Sequence, residues 1–290
     1  MNLPTCLPDA TVLNQADALG LSRPIQVVVN GAEARRKPKS IRCRVNSRIL
    51  PEGSFINVSD KIVVSSPELC FLQLARDLSL VKLIELGFEF CGTYSMYDAN
   101  DPIKNQVDQG FYTRSKLTTT KKLRAYVDQA SAFHSCRKAA YAIDFITDDS
   151  ASPMETILVM LLTLPYRIGG YKIKMPELNK RVVPKKTAQP GAGNAYYKCD
   201  LYWPDAGLAV EYDSDQYHSQ VERIASDSRR RNSLLATGVD VVTVTNEQIK
   251  NYFDFRTIAR QIAGKLGKRL QYMEPGFSTA NRKLRKLLLG

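Results

Sequence analysis

The stretch YYKCDLYWPDAGLAVEYDSDQYH, from Tyr196 to His218, carries Asp200, Glu211 and Asp213 in two β-prone runs joined by a turn signal. Pro204 suits an early turn position and Gly207 its exit, so WPDAG folds the chain back on itself. Centring the turn on Asp205 and Ala206 sets Asp200 across from Glu211 and Lys198 across from Asp213. Because side chains alternate along a strand, these four share one face, while Cys199, Leu201, Leu208, Val210 and Tyr212 take the other. Shifting the pairing by one residue would expose the apolar set and bury the charges, so the pattern itself selects the register.

An aspartate opposite a glutamate, roughly 5 Å apart at Cβ, costs stability unless a cation sits between them. Hard carboxylate oxygens with no Cys or His among them suit Mg2+ or Mn2+ rather than zinc. The same residues would also serve as the solvated outer face of an edge hairpin. Nearby, Glu155 ends the sequence Ser152-Pro153-Met154-Glu155, a capping box with proline in the first helical turn. His218, just past the second run, is placed to protonate a leaving oxygen, to hold a phosphate, or simply to occupy a loop. Asp227 and Arg230, three apart on a helical stretch, form either an ion pair or, with Arg229 and Arg231, a phosphate contact.

The elements that must position these residues read as a mixed α/β (α+β) chain. From Ser152 onward the order is a helix to residue 164 and a loop rich in Lys, Pro and Gly to Asn194. A strand, tight turn and strand follow, then a helix over about 219–237, the strand GVDVVTVT and a helix. The polar TDDSASP before it marks a boundary, dividing the chain into residues 1–150 and 151–290. The first part holds the β-prone runs IQVVV, IRCRV, SFINV and KIVVSS, then two helical stretches. Pro67 opens the first of these and His134 lies within the second as a lone, structural histidine. The β-rich module is dense in cations, among them Arg35, Arg36, Lys37, Lys39, Arg42, Arg44 and Arg48, which either face solvent or contact phosphate. At the end of the chain STANRKLRKLLLG reads as an amphipathic helix, packing Leu284, Leu287 and Leu288 and exposing Arg282, Lys283, Arg285 and Lys286.

With 41 Lys and Arg against 29 Asp and Glu, a formal charge of +12, the chain favours an anionic partner, nucleic acid before an acidic membrane surface. Six cysteines are scattered without a Cys-x-x-Cys pair and only two histidines are present, which argues against a zinc cluster and for free thiols in a reducing compartment. The amino terminus lacks the pattern of a secretory leader, and the longest apolar run, TILVMLLTLPY, is too short for a bilayer span. A cytoplasmic protein without a membrane partner is expected.

The ordered pieces SPMETIL, KCDLYWPDAGLAVEYDSDQYH, DSRRRNSLLATG and VDVVTVT resemble the PD-(D/E)XK nuclease superfamily, in the branch similar to very-short-patch-repair endonucleases. The likeness covers Ser152 to about Thr245 and implies a restriction-endonuclease-like mixed sheet flanked by helices. It implies Asp200 and Glu211 as metal ligands, with Glu155 as the acid that the family's first helix directs into the site. Asp213 stands where much of the superfamily has its catalytic Lys; Lys198 is then a candidate for a displaced cation, or the salt-bridge partner of Asp213. Ser214 stands where the family usually has Gly. A shorter stretch, DKIVVSSPELCFLQLARDLSL, is similar to the domain preceding the nuclease-like part in some abortive-infection antitoxin-like regulators.

The resemblance implies a Mg2+- or Mn2+-dependent DNA endonuclease or nickase acting in phage defence or DNA repair, with the amino-terminal half holding DNA or a protein partner. Its catalytic set would be Glu155, Asp200, Glu211, Asp213, Lys198 and His218, and its nucleic-acid contacts Arg229, Arg230 and Arg231. The alternative is a DNA-binding regulator or antitoxin that keeps the nuclease fold without its chemistry.

Overall fold

A computed structural model describes residues 3–4, 7–21, 23–30, 39–97, 110–182, 196–213, 238–271 and 275–290. The chain is of the mixed α+β class. Helix α1 (Ala10–Ala18) begins at Asp9, whose carboxylate accepts the Val12 N–H. The four β-prone runs of the first part become β1 (Ile25–Val29), β2 (Ile41–Val45), β3 (Phe55–Asn57) and β4 (Val63–Ser65). They do not form one meander: β1 and β2 pair in parallel, and β3 and β4 form a separate antiparallel pair.

The first long helical stretch is two helices, α2 (Pro67–Leu74) and α3 (Leu80–Cys91). Ser66 and Ser79 each cap one of them by accepting a backbone N–H, from Leu69 and Lys82 respectively, and Pro67 occupies the first turn as expected. The second capping serine lies inside an unbroken apolar periodicity, so periodicity alone merges the pair. A short hairpin of β5 (Tyr94–Met96) and β6 (Phe111–Thr113) follows, then α4 (Thr120–Gln129) and α5 (Cys136–Ile143).

Helix α6 (Pro153–Thr163) is the centre of the molecule. From Glu155 to Thr163 every residue is buried, because the helix is covered on all sides. A single large core contains Leu72, Phe88 and Val127 from before residue 150 together with Leu158, Leu201 and Leu284 from after it. Behind α6 lies a four-stranded mixed sheet of β7 (Glu177–Val182), β8 (Tyr197–Trp203), β9 (Leu208–Asp213) and β10 (Asp240–Thr245). The spatial order is β10-β9-β8-β7, antiparallel except for the parallel β9–β10 pair.

Strand β7 falls in what the sequence presents as a Lys-, Pro- and Gly-rich loop. As an edge strand it buries only Leu178, so ELNKRV has no apolar alternation to announce it. The chain closes with α7 (Asn246–Lys250), α8 (Tyr252–Lys265) and α9 (Phe277–Leu289). In α9 the expected apolar face is rotated: Leu287 is 45% exposed and Arg285 only 7% exposed. Residues 277, 281, 284, 285 and 288 form the buried stripe, and Arg285 Nη2 donates to the carbonyl oxygens of Ile249 and Lys250, completing the end of α7. Among the described residues no helix is long and apolar enough to cross a membrane.

Candidate active site

The β8–β9 turn closes as the sequence anticipates. A short 3-10 turn at Pro204–Ala206 leads to Gly207 at φ +55, and the pairs Leu201–Val210, Tyr202–Ala209 and Trp203–Leu208 follow the expected register. Glycine is required at 207 for two reasons. Its φ is left-handed, and a Cβ there would stand 2.9 Å from the Gly238 carbonyl oxygen at the entry to β10.

Beyond Leu201 the ladder changes. The matched rungs of β8 and β9 stop at Leu201–Val210, and at the next level Asp200 Oδ2 accepts the Tyr212 N–H at 2.8 Å. The side chain of Asp200 thus occupies the gap where the two strands part. On the other side of β8, the rungs with β7 run Glu177–Tyr202, Leu178–Leu201, Lys180–Cys199, Arg181–Lys198 and Val182–Tyr197. Asn179 and Asp200 are the rung missing from that series, and Asn179 has φ +50. A left-handed residue turns a strand over.

The effect is visible in the cores. Leu178 and Leu201 belong to the large core, whereas Cys199, two residues from Leu201, belongs to a small cluster with Ala209 and Val239 on the opposite side. Glu177 also bonds Lys180 at 2.6 Å, three residues away, which an unbroken strand would place on opposite faces. The expectation that Cys199 and Leu201 share a face is therefore corrected by the turnover at Asn179 and Asp200.

Against this opening stands the amino-terminal end of α6. Ser152 caps the helix by accepting the Glu155 N–H at 3.2 Å. The Glu155 carboxylate reaches back: Oε1 accepts from the Ser152 hydroxyl at 3.1 Å, and Oε2 from the Ala151 N–H at 2.9 Å and from Asn179 Nδ2 at 2.6 Å. Asn179 Nδ2 also donates to the Asp149 carbonyl at 2.8 Å, tying the edge strand to the segment before α6. The capping reading of Glu155 is thus realised, and the same side chain lies within reach of the Asp200 charge. Burial raises the Glu155 pKa to about 7, the negative charge of Asp200 adds to that rise, and the hydrogen bonds from Ala151, Asn179 and Ser152 oppose it.

The remaining expected site residues are placed differently. Glu211 is half-buried on β9, matched to Thr243 of β10. Along β9, Leu208 and Val210 belong to the large core and Ala209 to the small one, so alternation carries Glu211 to the side of Ala209. Lys198 is matched with Arg181 on β7, and the exposed Asp213 with Thr245 on β10. His218, Ser214, Asp227, Arg229, Arg230 and Arg231, with the helix expected over about 219–237, lie outside the described residues. So do Arg35, Arg36 and Lys37.

Mg2+ or Mn2+ would find suitable hard donors in Asp200 and Glu155, two carboxylates close enough for the charge of one to disfavour ionising the other. Three donors already point at Glu155, and a carboxylate offers about four lone-pair directions, so one remains. Asp200 Oδ2 accepts the Tyr212 N–H. The pair fits a divalent ion. Among the described residues, however, no three Asp, Glu, His or Cys side chains converge to hold one, so Glu155, Asp200 and Glu211 are not gathered into a single ligand group. Asn179 is the participant that sequence reading missed. Its signal is slight: an asparagine, tolerant of the left-handed region, inside a polar stretch.

No family model, no curated protein and no solved structure matches this chain.

Proposed function

We propose that the protein is a divalent-metal-dependent DNA endonuclease or nickase of the PD-(D/E)XK type, hydrolysing phosphodiester bonds at the opening between β8 and β9. One observation carries the reading: Asp200 leaves the ladder across from Asn179, which donates to the buried Glu155, and the Asp200 charge helps to raise the Glu155 pKa. An acid pair with that raised proton affinity is what a shared cation relieves. The element order agrees with it. A helix is followed by antiparallel strands and then by a strand parallel to its neighbour, with the acids at the gap rather than at the turn.

Asp200 and Glu155 would hold Mg2+ or Mn2+. Such an ion lowers the pKa of an attacking water and neutralises charge on the phosphate. The hydrogen bonds from Ala151, Ser152 and Asn179 hold the Glu155 carboxylate in place, and the Tyr212 N–H holds Asp200 Oδ2. The formal charge of +12 brings the polyanion to the protein.

A second reading, a DNA-binding regulator on the same scaffold without chemistry, draws on the absence, among the described residues, of a three-acid group that includes Glu211 and on the three hydrogen bonds that Glu155 already takes locally. Purified protein on supercoiled plasmid with Mg2+ or Mn2+ separates the two. Nicking by the wild type that disappears in Asp200→Ala supports hydrolysis. Binding without product in either ion favours the regulator, and equal nicking by both proteins would assign the cleavage to a contaminant.

A further inference from the structure

A groove of about 1350 Å³ runs between β2 and the helical layer formed by the end of α2, the turn before α3 and the start of α5. Six cations line it: Lys39, Arg42, Arg44, Arg48, Arg76 and Lys138. Asp77 is the single acid among its described lining residues, leaving a formal excess of five positive charges with His134 neutral. That acid is committed, since Arg44 Nη2 bonds its Oδ2 at 2.7 Å and so ties β2 to the end of α2. Arg42, Arg48 and Arg76 are exposed.

The groove is not only cationic. Val28, Cys43, Val45, Leu50 and Phe133 line it half-buried, and the Arg48 guanidinium stands 5.5 Å from the centre of the Phe133 ring. These two properties select among polyanions. A duplex turns its phosphates outward and hides its bases, so it leaves an apolar wall unmatched. A single strand offers both phosphates for the arginines and unpaired bases for the aromatic and aliphatic wall.

We propose that this groove binds single-stranded DNA. The groove stands apart from the acid pair, in residues that the hydrolytic mechanism does not use, and it rests on the preceding reading only in naming DNA as the polymer. The enzyme would then hold an unpaired stretch through its amino-terminal part while the β8–β9 opening acts on the phosphodiester.

The test is fluorescence anisotropy of the full chain in EDTA, so that no cleavage intervenes, with a labelled oligothymidine of about 15 nucleotides and a duplex of the same length. Arg42→Glu with Arg48→Glu removes the edge charge. Arg42→Gln with Arg48→Gln is the milder version should the first fail to fold by circular dichroism. Phe133→Ala removes the aromatic wall, and Arg282→Glu with Lys283→Glu on the exposed face of α9 makes the same charge change elsewhere.

Tighter binding of the single strand than of the duplex is expected, weakened at least about tenfold by the groove double variant and about threefold or less by the α9 control. Phe133→Ala should weaken the single strand several-fold and leave the duplex unchanged. Equal losses in the groove and control variants, preference for the duplex, or displacement of the oligonucleotide by polyglutamate at matched charge would each overturn the proposal. The two readings fail separately. A wild type that nicks nothing, alongside a groove variant that loses single-strand binding, removes the hydrolase and keeps the groove. Intact nicking with unchanged binding in the groove variant does the reverse.

Discussion

The acid pair at the β8–β9 opening and the basic groove beside β2 hold opposite charges by opposite means. Glu155 is 7% exposed and takes hydrogen bonds from three groups, so its position is dictated by its surroundings and its proton affinity is raised. The groove arginines at 42, 48 and 76 are exposed, and water screens their charge, the 3.9 Å approach of Arg76 to Asp77 included. The difference teaches where each sign is useful. Chemistry on a phosphate needs charges held in place before the substrate arrives, whereas capture of a strand tolerates long, rotatable cations that settle on whichever phosphate is near.

That contrast can be broken most decisively at Asp200. Asp200→Ala should lower the nicking rate by about a thousandfold, the loss of several kcal/mol of transition-state stabilisation, while oligonucleotide affinity in EDTA stays within about threefold. A comparable loss of affinity would mean that the two regions are not separate.

The rigidity of the two scaffolds should differ in chemical denaturation. Leu158→Ala, in the fully buried α6, should cost about 3 kcal/mol, and Val28→Ala, half-buried on β1, about 1 kcal/mol. Similar costs at both positions would remove the distinction between a fixed site and a compliant groove.

Glu155 supplies a pH signature for the acid pair. Its pKa in the folded chain is raised from 4.5 to about 7, so between those values the folded state keeps a proton that the unfolded chain has released. Stability therefore falls as pH rises across that window and levels off above it, by on the order of 3 kcal/mol at most. In Glu155→Gln this fall should vanish from urea titrations at pH 4.5, 6 and 8. An unchanged slope would show that the carboxyl is not buried with its charge opposed.

The smallest expected effect is at Asn179. Asn179→Gly keeps the left-handed backbone but removes the donor to Glu155 and Asp149, costing about 1 kcal/mol. It should also move the pH window upward, because a hydrogen bond that favours the ionised carboxyl is gone.

Much of the local geometry was legible before any coordinates. The register of β8 and β9 followed from a proline and a glycine around a two-residue centre, and the start of α6 from Ser152, Pro153 and Glu155. These are contacts within a few residues, where covalent geometry leaves few options. The break between α2 and α3 was obscured because Ser79 caps a helix whose apolar period continues on both sides. Strand β7 was hidden because an edge strand with one buried residue has no pattern to show.

What the chain determined by itself is the supply of parts: an acid on either side of a tight turn, a capped helix carrying a third, and a cationic excess weighted toward residues 35–48. Tertiary structure decided how those acids meet. Asn179 adopts a left-handed conformation, Asp200 drops out of the ladder, and Glu155, 45 positions earlier, arrives beside it. It likewise placed Glu211 with the residues of the other face and set β2 against α2 to open a groove. The physical reason is range. Turns and caps are settled by neighbours in sequence, but which faces meet, and how far a carboxyl is removed from water, depends on packing between segments that no short-range pattern relates.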